Sequence, residues 1–147
     1  MIMSTHLQTA VDLEMAHRLY DVDTYSEECR ENLHGHTFQV SFQVGRYQLN
    51  DAGMVMDFKL LKKIIKETIE DPFDHSSILR STDPIVPVIK ENCNKVHVVD
   101  DNPTAEWLAH KFFDLLEAAL EATDPKMFVK SVSVRETANN IATYTRD

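Results

Sequence analysis

Apolar and polar residues alternate along two early stretches of the chain. From Leu7 to His17, the residues Leu7, Thr9, Val11, Leu13, Met15 and His17 share one parity, and Gln8, Asp12 and Glu14 share the other. Strand side chains alternate faces with a period of two, so this pattern predicts a half-buried strand. His36 to Val44 repeats it, with Phe38, Val40, Phe42 and Val44 against Thr37, Gln39, Ser41 and Gln43, and Gly45 ends it. The polar, irregular stretch Tyr20 to Glu31 reads as a loop between the two strands, and Asn50-Asp51-Ala52-Gly53 as a turn.

A helical period follows. Asp57 is placed to cap a helix from Phe58 to about Glu70, with Leu61, Ile64, Ile65 and Ile69 as its apolar stripe and Asp71-Pro72 as its stop. Thr104, after Pro103, caps a second helix with Glu106 in its first turn. Leu108, Phe112, Leu115, Leu116 and Ala119 face its core side, and Asp124-Pro125 ends it. Ser76 to Pro103 is mixed, with a short helix near Val86 to Glu91 and a short strand at Lys95 to Val99. Phe128 to Glu136 and Ile141 to Arg146 read as a closing hairpin. The order ββααββ predicts an α+β fold: an antiparallel four-stranded sheet with two helices on one face. The 147 residues fit a single domain spanning 1–147. Such a sheet leaves two edges, and pairing between subunits is one way to cover them.

Composition narrows the function classes. Hydrophobic residues at 43% and charged residues at 27% are those of a globular chain rather than a disordered one. The net charge of −9, with no Lys/Arg run, argues against nucleic acid as a partner. No apolar run approaches the roughly 18 residues of a membrane span, and Met1 to Ala10 lacks the pattern of a signal peptide. The expectation is a cytoplasmic protein in which Cys29 and Cys93 are reduced thiols.

Among the seven histidines, three continue the inward rows of neighbouring strands. His17 follows Leu13 and Met15; His34 and His36 precede Phe38 and Val40. Both row ends meet near the intervening loop. Three neutral imidazoles are a catalytic zinc set with an open fourth position, although polar strand ends also show a bare His-x-His, and imidazole also suits iron, copper and nickel. Gly35, between two of them, removes a side chain where backbone approach is close. Cys29 precedes His34 by five residues; it reads either as a thiolate near a metal or as a buried inert thiol. Asp74-His75 offers a carboxylate to orient an imidazole, or a surface loop pair. Glu136 shares parity with Val132 and Val134, so it points to the core side unless the strand has ended. There it could accept two hydrogen bonds from a planar donor pair. Cys93, His97 and His110 read as structural.

The ordered set of motifs resembles the 6-pyruvoyl-tetrahydropterin synthase superfamily. The stretches are Met15-Ala16-His17-Arg18-Leu19, Leu33-His34-Gly35-His36, Gly53-Met54-Val55-Met56-Asp57-Phe58, Phe73-Asp74-His75, Asn102-Pro103-Thr104-Ala105-Glu106, Arg135-Glu136-Thr137 and Ala142-Thr143-Tyr144. The resemblance implies the tunnelling fold, trimers that pair into homohexamers, and active sites between subunits. It implies zinc on His17, His34 and His36, Cys29 as the proton-abstracting thiolate, Asp74 with His75 as a proton relay, and Glu136 as anchor of a pterin's amino-pyrimidine edge. The implied substrate is 7,8-dihydroneopterin triphosphate. The implied reaction is that of the bacterial branch serving queuosine biosynthesis, which forms 6-carboxy-5,6,7,8-tetrahydropterin and releases acetaldehyde and triphosphate. That branch usually spaces its Cys four residues before the first His; here the interval is five. The pyruvoyl-forming reaction, the folate branch forming 6-hydroxymethyl-7,8-dihydropterin with a Glu such as Glu31, and a non-catalytic pterin- or zinc-binding module are the alternatives. Arg18, Lys90 and Arg135 are candidates for the triphosphate by charge alone.

Overall fold

The structure, a computed structural model, describes residues 1–23 and 26–147; part of the Tyr20–Glu31 loop, Thr24 and Tyr25, lies outside them. The two alternating stretches form a long antiparallel hairpin of β1 (Thr5–His17) and β2 (His34–Arg46). Their pairing runs unbroken from Thr5 opposite Arg46 to His17 opposite His34. The parity holds: Leu13, Met15, Phe38, Val40, Phe42 and Val44 are buried. β2 begins at His34, two residues earlier than its alternation suggests.

The expected four-stranded antiparallel sheet is a six-stranded mixed sheet of order β4-β3-β1-β2-β5-β6. β5 (Phe128–Thr137) and β6 (Asn140–Thr145) extend it antiparallel beyond β2, as the closing hairpin requires. The two additional strands are β3 (Ser76–Arg80), parallel to β1, and β4 (Val96–Val99), parallel to β3. They cover what would be an open edge of β1, whose unpaired N–H and C=O groups need partners. β4 is the short strand expected at Lys95 to Val99; β3, only five residues long, carries too little alternation to stand out, yet Ile78 and Leu79 are fully buried.

The loop after β1 contains a short helix, α1 (Glu27–Glu31), whose first turn is capped by the Ser26 hydroxyl. The first long helix also departs from expectation. Asp57 caps α2 (Phe58–Ile65) through the N–H groups of Lys59 and Leu60, but the helix does not stop at Asp71-Pro72. It widens into a π-helical turn, Lys66–Glu70, and ends in one further turn, α3 (Asp71–Phe73). Proline lacks an N–H and crowds the preceding turn, a conflict that a first-turn position removes. After α4 (Val86–Asn92), the Thr104 hydroxyl accepts from Trp107 N–H and starts α5 (Ala105–Thr123). The long helices cover one face of the sheet. Leu61, Ile65, Ile69, Leu108, Phe112, Leu116 and Leu120 meet Leu13, Phe38, Phe42, Val132 and Val134 in one core. The opposite face is left to Gln8, Asp12, Glu14, Thr37, Gln39, Ser41, Gln43 and Ser133, none of them buried. No helix among the described residues is long and apolar enough to cross a membrane.

Candidate metal centre and neighbouring groups

Strand register assembles the three histidines. His17 pairs directly with His34, and His36 lies opposite Met15, so all three rings project from the helix-covered face at one end of the hairpin. Ring centroids are 4.7 Å apart for His17 and His34, 5.3 Å for His17 and His36, and 5.0 Å for His34 and His36. Two rings are aimed by backbone carbonyls. His17 Nδ1 donates to Pro103 O at 2.7 Å, and His34 Nδ1 donates to Asn32 O at 2.8 Å. A carbonyl only accepts, so Nδ1 carries a proton, and Nε2 is the ring atom left to act as a ligand. Burial lowers the pKa of His36, with Glu136 opposing and His17 and His34 acting in the same direction as burial.

The three Nε2 atoms are buried with no hydrogen-bond partner, and the ligand atoms of the three rings lie within 4.8 Å of one another. A buried polar atom without a partner is costly, and three sharing one point are explained by a cation between them. The donor set fits a divalent metal that accepts imidazole nitrogen, zinc among them. The carbonyls of Pro103 and Asn32, which orient these rings, were not foreseen from the sequence. Backbone acceptors carry no residue-type signal, and Pro103 stood out only as a helix-start residue.

Glu136 points to this centre, as its parity indicates. Its Oε1 lies 3.3 Å from His17 Nε2 and 3.5 Å from His36 Nε2. Its carboxyl pKa is lowered, first by the contact with His17 at hydrogen-bonding distance; burial opposes this, and the charges of His17, His36 and His34 add to it. A cavity of about 110 Å³ lies beside it, lined by Ala105, Glu106, Asn140, Ile141 and Ala142.

Cys29 is half-buried on α1, and its carbonyl accepts from Leu19 N–H at 3.0 Å, so its backbone is pinned two residues past His17. Gly35 is less constrained than expected: a Cβ there would meet only Met15 O, at 3.4 Å. Asp74 and His75 form a pair, with Nδ1 to Oδ2 at 2.9 Å, and dock on β1. Asp74 Oδ1 accepts from Glu14 N–H, and His75 N–H donates to Glu14 O. That bond from Glu14 is the main cause holding the Asp74 carboxyl below its ordinary value; burial opposes it, and the hydrogen bond and charge of His75 and then the charge of Lys95 add to it. His75 adopts φ 63°, a left-handed conformation that turns the chain from α3 into β3 and leaves the ring largely exposed. It lines a shallow cavity of about 430 Å³ with Glu14, Ala16, Gly35 and Thr37. Those strand residues alternate with His17, His34 and His36, but His36 and Met15 also line the cavity, which reaches from the open face to the edge of the histidine group. Among the described residues no hydrogen bond or ion pair links Asp74 or His75 to Cys29 or to the metal centre.

The charge-based candidates separate. Arg18 is committed to buried Asp83, which also caps the turn before α4 through Ile85 N–H; the ion pair raises the Arg18 pKa. Arg135 is exposed and donates to Ala138 O at 2.9 Å, and Lys90 is exposed on α4. Glu31 is solvent-exposed with its carboxylate 3.8 Å from Arg30. His97 stacks on Phe73 and donates from Nε2 to Pro72 O at 2.8 Å, while His110 stacks on Tyr144, as packing residues do. A cavity of about 490 Å³ lined by Arg46, Tyr47, Phe128 and Arg146 lies at the far end of the β1–β2 hairpin from the histidines.

A family profile described as 6-pyruvoyl tetrahydropterin synthase matches residues 6–147. The chain belongs to that family. Its relatives include the 6-carboxy-5,6,7,8-tetrahydropterin synthase of Aquifex aeolicus, 39% identical over 77% of this chain and 74% of that one. The enzyme of the same name from Haemophilus influenzae is 31% identical over 89% of this chain and 92% of its own. Among solved structures, an uncharacterized protein of Wolinella succinogenes superposes with a TM-score of 0.81 at 22% identity, over 99% of both chains. The 6-pyruvoyl tetrahydropterin synthase of Caenorhabditis elegans does so with 0.70 at 23% identity, over 99% of this chain and 98% of that one. The fold is therefore the one shared by these synthases, and membership makes the chain a lyase-type enzyme.

Proposed function

We propose that this chain is a zinc-dependent 6-carboxy-5,6,7,8-tetrahydropterin synthase serving 7-deazapurine (queuosine) biosynthesis. Its substrate would be 7,8-dihydroneopterin triphosphate, cleaved with uptake of one water to release acetaldehyde and triphosphate. The observation that carries this reading is the group of three buried, partnerless Nε2 atoms on His17, His34 and His36, in a chain whose relatives bear that name. A divalent ion held there supplies Lewis-acid stabilisation of negative charge developing on substrate oxygens.

The protein groups divide the remaining work. Glu136 accepts two hydrogen bonds from the amino-pyrimidine edge of the pterin, a bidentate contact that fixes the ring. Cys29, as thiolate, removes a proton from the substrate side chain. The interval of five residues before His34 is compatible with this role, because residues 29–31 are helical. A helix advances about 1.5 Å per residue against about 3.3 Å in a strand, so α1 absorbs the additional residue. Asp74 orients His75, which returns a proton. Since, among the described residues, no hydrogen bond or ion pair joins this pair to its own chain's metal centre, it would serve a neighbouring subunit's. The active enzyme is then an oligomer with shared sites, a homohexamer by family likeness.

Acetaldehyde measured against triphosphate tests this. Zinc-loaded protein given 7,8-dihydroneopterin triphosphate should release the two in equal amounts; triphosphate without acetaldehyde would point to a pyruvoyl-forming elimination and contradict the proposal.

A further inference from the structure

The position of Glu136 relative to the three histidines has a consequence beyond ring recognition. Its Oε1 approaches two Nε2 atoms, at 3.3 Å and 3.5 Å, both at or beyond the long end of ordinary hydrogen-bond lengths. His17 Nδ1 donates to Pro103 O, so Nε2 is the ring atom that faces the carboxylate oxygen. A carboxylate oxygen that close to two imidazole nitrogens is held by a cation between them, a proton or a metal ion. Among the described residues Glu136 has no Lys or Arg partner to account for its orientation; its ion-pair contacts are His17 and His36.

The distances themselves fit shared coordination. With metal–nitrogen bonds of about 2.0–2.1 Å and metal–oxygen bonds of about 2.0–2.2 Å, neighbouring ligands on a tetrahedron stand about 3.3–3.5 Å apart. Both measured separations fall in that interval. The backbone gives an independent reason for the aim. The β5–β6 register shifts between Arg135 and Thr137, and β2 pairs with β5 only as far as Arg135. Glu136 is therefore the bulged residue, belonging to neither ladder. Bulges beside active sites re-aim single side chains. A second position is also available, because the small cavity lined by Glu106, Asn140 and Ile141 adjoins the same carboxylate.

We propose that Glu136 is the fourth ligand of the metal in the substrate-free enzyme, and that the amino-pyrimidine edge of the pterin draws it off. Recognition of the ring then opens the metal, so the strongest electrophile in the site is exposed only when the correct heterocycle is seated. This rests on the proposed metal centre.

The test uses the full-length oligomer loaded with Co²⁺, whose d–d absorption reports ligand number and type, and a competing chelator to measure metal affinity. Glu136→Gln keeps the shape and removes the anionic ligand; Glu136→Asp keeps the charge but falls one methylene short, and serves if the first variant is poorly folded. Either variant should bind the metal about 10-fold or more weakly and show a changed Co²⁺ spectrum. Adding neopterin to the wild type should shift the spectrum towards that of Glu136→Gln. Equal affinity and identical spectra in wild type and variants would overturn the inference while leaving the three-histidine site intact. A wild type that takes up no metal, with His17→Ala indistinguishable from it, would instead remove the metal centre and the inference with it.

Discussion

At the residue scale, three imidazoles are held ready by partners outside the metal shell. Pro103 O and Asn32 O orient His17 and His34. His17 is also nearly fully buried, so its loss cannot be replaced by solvent. His17→Ala should reduce bound zinc from about one per chain to near zero, read by elemental analysis after dialysis; unchanged zinc would contradict the assignment. Cys29→Ala should behave differently, losing about 10²-fold or more in kcat while retaining the metal. Full activity in that variant would move the role of base elsewhere. The face that the three histidines occupy was legible in the sequence, because strand parity decides it. The bulge that aims Glu136 was not, since a register shift depends on how β6 pairs, and no residue type announces it.

At the element scale, a strand end and a helix end are tied by an ion pair that the linear pattern hides. Arg46, at the end of β2, is buried and reaches Asp124, the C-cap of α5, at 2.5 Å. The Asp124 carboxyl pKa is depressed, first by the N–H of Lys126, with burial opposing and the hydrogen bond and charge of Arg46 adding to the effect. A depressed folded-state pKa stabilises the fold above the unfolded value of about 3.9, and this contribution is lost as pH falls through the folded value. Asp124→Asn should therefore cost about 1–3 kcal/mol at pH 7. The difference from wild type should shrink on acidification below about pH 4, as followed by chemical denaturation. A constant difference across that range would show that the ion pair is not its source. The same scale explains what the sequence pattern missed. β3 is short, α1 has only five residues, and the π-helical turn carries the first long helix past Pro72. None spans enough residues for a period to show, and each forms because a neighbouring edge or cap requires it.

At the scale of the whole molecule, the candidate chemistry falls into two groups. The three histidines and Glu136 belong to the helix-covered side, whereas Asp74 and His75 dock on the backbone of Glu14, beside a cavity that also reaches His36. A linear sequence cannot show this, because the placement depends on His75 turning through a left-handed conformation onto the backbone of Glu14. If neighbouring subunits complete one another's sites, inactive Cys29→Ala and His75→Ala proteins should complement when dissociated and reassembled together. Random mixing would restore about a quarter of wild-type activity. No recovery, with mixed oligomers verified by native mass spectrometry, would place all the groups in one subunit or assign His75 no role.

The most direct measurement is the mass of the pterin formed from 7,8-dihydroneopterin triphosphate by the zinc-loaded protein, with and without a chelator. The proposed function predicts 6-carboxy-5,6,7,8-tetrahydropterin as the product, formed only while the metal is present. Hydroxymethyl-dihydropterin, pyruvoyl-tetrahydropterin, unchanged substrate, or a product indifferent to chelation would contradict it.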